Sequence, residues 1–241
     1  MKILKDIGSF DILTPISHLR EQLLIIERAG RTCYQSEEKE ITLETAKKFI
    51  RMILKRGHES VIEHSNMTVQ FNNVSRGFTH EQVRHRLTAI SQESTRYVDY
   101  AQKGQGPDLD LFQLRCVVPS HRDENEIFLL EDGSQLSVVD MFHEIEKFYR
   151  ALRRTGWPPE DARQLLPIGI RSQIVISANF REWRHIFEMR TSRFAHWEIR
   201  KVMCDLLEHV KLRSILSPIF DDFNEMGRDK NSLRYFEKRR P

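Results

Sequence analysis

Three stretches of the sequence repeat apolar residues at helical spacing, and they constrain the fold more than any other feature. Residues 43–56 carry apolar side chains at positions 46, 49, 50, 53 and 54, which predicts an amphipathic helix stopped by Gly57. A second stripe runs from Met141 to Leu152 behind the N-cap candidate Ser137, and a third from Ile199 to Val210. Such helices must each bury an apolar face against other elements.

Strand patterns lie between these helices. Residues 65–74 alternate apolar and polar side chains, and residues 172–178 (SQIVISA) have the composition of a buried strand. The sequence EIFLLEDGSQL predicts a hairpin around Asp132-Gly133. Helices dominate, so the sequence predicts an α+β protein.

Composition excludes several classes of protein. With 241 residues, 39% hydrophobic and 30% charged, the chain is globular rather than disordered. It has no apolar run of the ~20 residues needed to cross a bilayer, and Lys and Asp interrupt the N-terminal segment, which argues against a signal peptide. Three widely spaced cysteines favour a reducing compartment, so we expect a cytoplasmic protein without a membrane partner.

Arginines concentrate between residues 76 and 97. A helix from Arg76 to about Arg86, capped by Ser75, is predicted here, and it would place Arg84 and Arg86 about 200° apart around its axis. Guanidinium groups match phosphate oxygens, which suggests a phosphate site, but exposed arginines are more often simply solvated. A nucleic-acid surface is a further alternative, although the net charge of +3 gives it little support.

The order of residues separates these alternatives. Arg84-His85-Arg86, followed after seven residues by Ser94, resembles the RHR-x7-S signature of flavin-dependent thymidylate synthases. The continuation through Tyr97 and the preceding Glu81 also resemble that family. Some twenty matching positions make the likeness specific.

Three other stretches resemble the same family in the same order. They are Arg31-Thr32-Cys33-Tyr34, then Gly57-His58-Glu59-Ser60 with Glu63-His64, and Asn179-Phe180-Arg181-Glu182-Trp183-Arg184-His185 followed by Arg190. The resemblance covers roughly residues 25–100 and 160–210. It leaves 101–155 and the C-terminus unmatched.

Two other interpretations of these stretches are weaker. His58 and His64 are six residues apart, about 240° around a helix, so they do not form the His pair of a zinc protease helix, and we predict no metal site. The cysteines have no neighbours that would activate a thiol. Trp183 and Phe187 are expected in the core, whereas Arg181 and His185 share another helix face.

The resemblance implies a fold and its boundaries. It implies a single α+β domain of the flavin-dependent thymidylate synthase type over residues 1–220, with a central mixed or antiparallel sheet flanked by long helices. We expect an insertion at about 101–137 and a polar, loosely held tail at 221–241.

The resemblance also implies an activity. Members of the family methylate dUMP to dTMP with 5,10-methylenetetrahydrofolate as carbon donor and reduced FAD as hydride donor, usually recharged by NADPH. They are homotetramers whose active sites are shared between subunits. A nucleotide-binding relative that has lost catalysis remains the alternative.

The motif positions assign roles to residues. Arg190 is the predicted catalytic residue, against the uracil ring. The predicted FAD-binding residues are Ser60, Arg84, His85, Arg86, Gln92, Asn179, Arg181 and His185. The predicted dUMP-binding residues are Glu81, Arg84, Gln92, Ser94, Arg96, Arg163 and Arg190.

Overall fold

The structure is a computed structural model that describes residues 2–5, 7–33, 35–36, 40–102, 114–212 and 214–239. Tyr34, the last residue of the early motif, lies outside the described residues, as do residues 103–113 of the expected insertion. Among the described residues, no helix is both long enough and apolar enough to span a bilayer.

Helices cover more of the described chain than strands do. The helices are α1 (Ile16–Cys33), α2 (Leu43–Lys55), α3 (Arg76–Gln82), α4 (Val138–Arg154), α5 (Pro159–Ala162), α6 (Phe180–Arg190), α7 (Trp197–Leu212) and α8 (Ser217–Phe220). Two 3-10 turns cover Glu59–His64 and Arg163–Leu165.

Most strands of the described chain are short, and only two of them exceed six residues. The strands are β1 (Lys2–Lys5), β2 (Ser9–Ile12), β3 (Asn66–Ser75), β4 (Ala89–Gln92), β5 (Arg115–Val118), β6 (Phe128–Leu129), β7 (Gln135–Leu136), β8 (Arg171–Asn179), β9 (Phe223–Arg228) and β10 (Arg234–Lys238). The largest sheet has four strands in the order β2–β3–β8–β4. The α+β prediction is confirmed.

The chain forms two compact units, each assembled from segments far apart in sequence. The first unit contains Met1–Ser9, Asn72–Glu81 and Gln92–Ile174, and the second contains Phe10–Phe71, Gln82–Ser91 and Val175–Pro241. The expected division into a domain at 1–220 and a tail at 221–241 is not tested by these units and stays a prediction.

Part of the expected insertion belongs to the framework of the first unit. Strand β5 pairs in parallel with β1, with Leu4 opposite Val117. Both side chains are buried. Strands β6 and β7 form the predicted hairpin, with Gly133 at φ +84° in its turn. Helix α4 begins at the predicted cap, where Ser137 and Asp140 form a reciprocal capping box.

Strands and helices of the second unit follow their sequence patterns. Met67, Val69 and Phe71 of β3 are fully buried, as the alternation predicts. Helix α2 is capped by Thr42 and ends at Lys55, two residues before Gly57 at φ +76°. The predicted alternation of β3 and the predicted stop of α2 are therefore observed, whereas the Thr42 cap was not predicted.

The predicted helix at 76–86 is shorter than its pattern suggested. Ser75 caps it as expected, since its hydroxyl accepts from the Phe78 N–H at 3.0 Å. However, α3 ends at Gln82, and the His85 N–H donates to the Gln82 carbonyl in a turn. Arg84 and Arg86 therefore lie on a turn after the helix. The prediction that places them on opposite helix faces is wrong.

The expectation of a loosely held C-terminal tail is also wrong. Strands β9 and β10 pair antiparallel, and β10 packs against α6 and α7. Phe223 and Phe236 are buried, and the Phe236 N–H donates to the Thr191 carbonyl at 3.0 Å. The three aromatic residues of this polar stretch, Phe223, Tyr235 and Phe236, give no periodic signal, which is why the hairpin was missed.

Replacing Phe236 with Ala tests how firmly this hairpin is held. Phe236 is 4% exposed, so the cavity left behind is expected to lower the free energy of unfolding by about 3 kcal/mol. The neighbouring exposed Glu237 provides the matched control, and Glu237→Ala is expected to change stability by less than about 0.5 kcal/mol. Urea denaturation measures both, and equal midpoints for the two variants would contradict a packed hairpin.

Candidate functional site

Helix α6 divides its residues between the core and an exposed face. Trp183 and Phe187 are fully buried, and the Trp183 indole N–H donates to the Met67 carbonyl at 2.8 Å. Asn179 caps the helix by accepting from the Glu182 N–H at 2.8 Å. With the start and the apolar face of α6 fixed, Arg181 and His185 are left together on the exposed face.

A cavity of about 780 Å³ lies in the second unit along this exposed face. Its volume is in the range of small-molecule sites. Its lining includes six of the eight predicted FAD-binding residues: Arg84, His85, Arg86, Asn179, Arg181 and His185. The remaining lining residues are mostly charged: Glu59, Glu63, Leu87, Glu182, Glu188 and Lys238. Segments about a hundred residues apart in sequence thus form one wall.

A second cavity of about 440 Å³ in the same unit is lined by Ser60, the seventh predicted FAD-binding residue. Cys33 and His58 also line it, so all three sequence motifs around residues 33, 58 and 181 contribute. It shares Glu59 and Arg181 with the larger cavity. The two cavities are therefore neighbours along one face of the unit.

The charges of the larger cavity suit an anionic ligand such as the diphosphate of FAD. Arg181 is paired with Glu63, and Lys238 with Glu59. Arg84 and Arg86 are exposed and have no ion-pair partner among the residues that the structure describes. Two guanidinium groups without an internal counter-ion favour phosphate oxygens as partners.

His85 and Arg190 form a buried contact behind this wall. The Arg190 Nε–H donates to His85 Nε2 at 2.9 Å. Only 8% of Arg190 and 5% of His85 are exposed. On the other side of the ring, His85 Nδ1 lies 3.5 Å from Glu182 Oε1. The His185 ring meets the His85 ring edge to face, with centroids 5.6 Å apart.

Burial determines the protonation of this cluster. Desolvation, reinforced by the positive charge of Arg190 and by His185 and Arg84, lowers the pKa of His85 to about 4. His85 is therefore neutral at pH 7 and accepts from Arg190. Burial also raises the pKa of the Glu182 carboxyl, and His185 acts in the opposite direction.

Three predicted dUMP-binding residues are close together in the first unit. Arg96 pairs with Glu160 at 2.7 Å, and Arg163 donates to the Glu160 carbonyl at 3.1 Å. Arg163 also donates to the Thr95 hydroxyl at 3.4 Å. The Ser94 hydroxyl accepts from the Arg96 N–H at 3.2 Å. The structure thus brings Ser94, Arg96 and Arg163 to one location, and their role in dUMP binding stays a prediction.

The remaining predicted residues are also in the first unit. The Gln92 amide donates to the Thr79 hydroxyl at 2.5 Å, which ties β4 to α3. Glu81 is half-buried in the last turn of α3. Gln92 is therefore the one predicted FAD-binding residue that lines neither of the two cavities.

The cysteines do not form a reactive centre. Burial raises the pKa of both Cys116 and Cys204 to about 12, so these thiols are protonated and inert. Within the described residues, no group of three or more His, Cys, Asp or Glu side chains is arranged to hold a metal ion.

Six lining residues of the larger cavity, Glu182 and Lys238 among them, were absent from the predicted site residues. Glu182 stands in the first turn of α6, where an acidic residue is ordinary, so its position next to His85 gave no signal. Lys238 lies in the C-terminal hairpin, which was predicted to be a loose tail. Only the tertiary structure places either of them in the cavity.

Comparison with known proteins identifies relatives over most of the chain. A family model described as thymidylate synthase complementing protein matches residues 16–213. A protein from Corynebacterium glutamicum named flavin-dependent thymidylate synthase is 34% identical over 83% of this chain and 78% of its own length. A protein of the same name from Pyrococcus abyssi is 30% identical over 86% of this chain and 82% of its own length.

A solved structure has a similar fold at low sequence identity. The UMP/dUMP methylase PolB from Streptomyces cacaoi, bound with 5-Br dUMP, superposes with a TM-score of 0.64 over 92% of this chain and 96% of that protein. Only 18% of the residues are identical, so the likeness supports the fold alone.

The low pKa of His85 predicts how stability depends on pH. As the pH falls from 7.5 to 5, the unfolded chain binds a proton on His85 near its ordinary pKa of 6.5, whereas the folded protein does not. Because of this residue, the free energy of unfolding therefore falls by about 2 kcal/mol between pH 7.5 and pH 5. The His85→Gln variant lacks this titration. Its free energy of unfolding is expected to fall by about 2 kcal/mol less than that of the unmodified protein.

Denaturation at the two pH values measures the difference, and the other histidines, common to both proteins, cancel. An identical loss of stability in the two proteins would show that the His85 ring is not held neutral in the folded state.

Proposed function

Because the chain belongs to the flavin-dependent thymidylate synthase family, we propose that it converts dUMP to dTMP with FAD as its redox cofactor. The carbon donor is 5,10-methylenetetrahydrofolate, and NADPH is the reductant. When bound, reduced FAD supplies the hydride for the methylation. The observation that carries the proposal is one cavity wall formed by the Arg84–Arg86 turn and helix α6.

FAD is held along this wall. Arg84 and Arg86 would neutralise its diphosphate, because among the arginines and lysines of the cavity lining these two have no ion pair with a described residue. Asn179, Arg181 and His185 line the wall from α6. Ser60 extends the site into the neighbouring cavity, and Gln92 completes the family's set of contacts.

The dUMP phosphate and sugar are bound by Ser94 and Arg96. Glu81, Arg84, Gln92 and Arg163 complete that pocket by their positions in the family motifs. In support, Arg96 pairs with the Glu160 carboxylate and Arg163 donates to the Glu160 backbone carbonyl, so both guanidinium groups lie at the same residue. A phosphate of higher charge competes for those same donors.

Arg190 acts on the uracil ring. A guanidinium against the N3/O4 edge stabilises the negative charge that develops on the ring during methylation. Its burial strengthens that interaction, since water does not screen the charge. No cysteine serves as a nucleophile in this scheme, which accords with the protonated, buried thiols of Cys116 and Cys204.

The enzyme is a homotetramer whose active sites are shared between subunits. It works in the cytoplasm. Large apolar side chains stand in solvent close to the motif residues: Leu87 is 75% exposed, Tyr97 78% and Phe194 83%. Exposed apolar side chains of this size are typical of subunit interfaces. The three free cysteines suit a reducing compartment.

Substitution of Arg190 tests the catalytic assignment. Arg190→Ala removes a charge that contacts the reacting ring, so dTMP formation is expected to fall by about 100-fold or more. Arg190→Lys keeps the charge without the planar fork and is expected to recover only part of the activity. The exposed Arg154→Ala is the control and is expected to match the unmodified protein.

Chromatographic quantification of dTMP, together with the absorbance of protein-bound flavin, separates the possible outcomes. Undiminished turnover by Arg190→Ala would show that the catalytic residue is elsewhere. An unmodified protein that binds FAD and dUMP but makes no dTMP would instead be a nucleotide-binding relative without the activity.

A further inference from the structure

Glu182 is a buried carboxyl that the proposed binding sites do not use. Its side chain is 8% exposed, and its Oε1 lies 3.5 Å from Nδ1 of the His85 ring. Burying a carboxyl is costly, and no positively charged Lys or Arg forms an ion pair with Glu182 among the described residues. Its backbone N–H is already satisfied by Asn179, so capping explains its position in the helix but not the direction of its side chain.

The proton arrangement of His85 follows from Arg190. A guanidinium Nε–H can only donate, so His85 Nε2, which receives it at 2.9 Å, must carry a lone pair. The single proton of a neutral imidazole is then on Nδ1. That nitrogen is the one that faces Glu182 Oε1, and the order of the contacts is therefore carboxyl, imidazole, guanidinium.

We infer that Glu182 is a positioning residue for Arg190, and that it acts through His85 by holding the imidazole in the tautomer that accepts from Arg190. The inference rests on the proposed role of Arg190 at the uracil ring. It adds a residue that acts through another side chain, and it gives the buried carboxyl of α6 a role in orienting Arg190.

The alternative tautomer shows why an acceptor is needed at Nδ1. With the proton on Nε2, an N–H would point at the Arg190 Nε–H, and the 2.9 Å contact would be replaced by two opposed donors. The other groups around the ring are Arg84 and His185, which carry positive charge or none, so neither supplies an anionic acceptor. Glu182 is the only acidic group recorded next to His85 in the described chain.

The environment keeps this arrangement intact at neutral pH. Burial and the Arg190 charge hold the pKa of His85 near 4, so the ring keeps its lone pair. A protonated ring would present two donors and repel Arg190. The geometry at Glu182 is an electrostatic contact longer than an ordinary hydrogen bond, sufficient to choose between two tautomers of similar intrinsic energy.

Three variants test the inference in the FAD-loaded enzyme. Glu182→Leu removes the acceptor and is expected to lower kcat at saturating dUMP about tenfold or more and to weaken dUMP binding measured by calorimetry. Glu182→Gln keeps an amide oxygen opposite Nδ1 and is expected to stay within about threefold of the unmodified enzyme. Glu144→Leu, an exposed helix carboxyl, is the control and should change neither quantity.

A double-mutant cycle with His85→Gln provides the readout that a merely structural role would not give. If Glu182 acts through the imidazole, Glu182→Leu has no further effect on kcat or dUMP affinity once that ring is absent. Effects that multiply in the double variant would overturn the inference. So would a Glu182→Gln variant as impaired as Glu182→Leu, or full activity of Glu182→Leu.

These outcomes are distinguishable from a failure of the proposed function. If the unmodified protein makes no dTMP, the proposed function fails, and the calorimetric dUMP titrations still report whether Glu182 and His85 are coupled. If the unmodified enzyme is active and Arg190→Ala is not, a fully active Glu182→Leu overturns the role of Glu182 alone.

Discussion

The hydrogen bond from Arg190 to a neutral His85 is the interaction on which the candidate site depends. It joins the end of α6 to the turn that follows α3, and it requires a ring kept uncharged by burial. The same turn carries Arg84 and Arg86 to the cavity wall. One buried contact therefore fixes the residues proposed for the uracil ring relative to those proposed for the flavin diphosphate.

This contact is possible because the other face of α6 is firmly packed. Trp183 and Phe187 are fully buried, and the rings of Phe187, Phe220 and Phe223 meet edge to face. Aromatic packing of this kind stabilises the helix in one orientation. Arg184, only 1% exposed, is held by ion pairs to Asp222 and Glu59, and these connect α6 to the C-terminal hairpin and to the motif at Glu59. The packed face of α6 thus fixes the orientation of the helix, and the residues of its polar face are not needed for that packing.

Periodicity and capping predicted the regular elements well, and motif order predicted which segments meet. Thr42 was not foreseen as a cap, but α2 and α4 start and end close to the predicted positions. The bounds of α3 were wrong because the chain leaves the helix at Gln82 to bury His85, a tertiary demand that overrides local helical preference. The packing of the C-terminal hairpin and the contact made by Glu182 were missed for a related reason. Both depend on residues far away in sequence, Thr191 and His85, and a local sequence pattern does not indicate such contacts.

The proposed function requires that protein-bound reduced FAD supply the hydride for dUMP methylation. The most direct test is an anaerobic single turnover. The FAD-loaded protein is reduced with NADPH, and the flavin absorbance at about 450 nm is followed. The bleached flavin is expected to regain its colour only when dUMP and 5,10-methylenetetrahydrofolate are added together, with one equivalent of dTMP formed. A flavin that stays bleached with both present, or that regains its colour without dTMP, would contradict the proposed function.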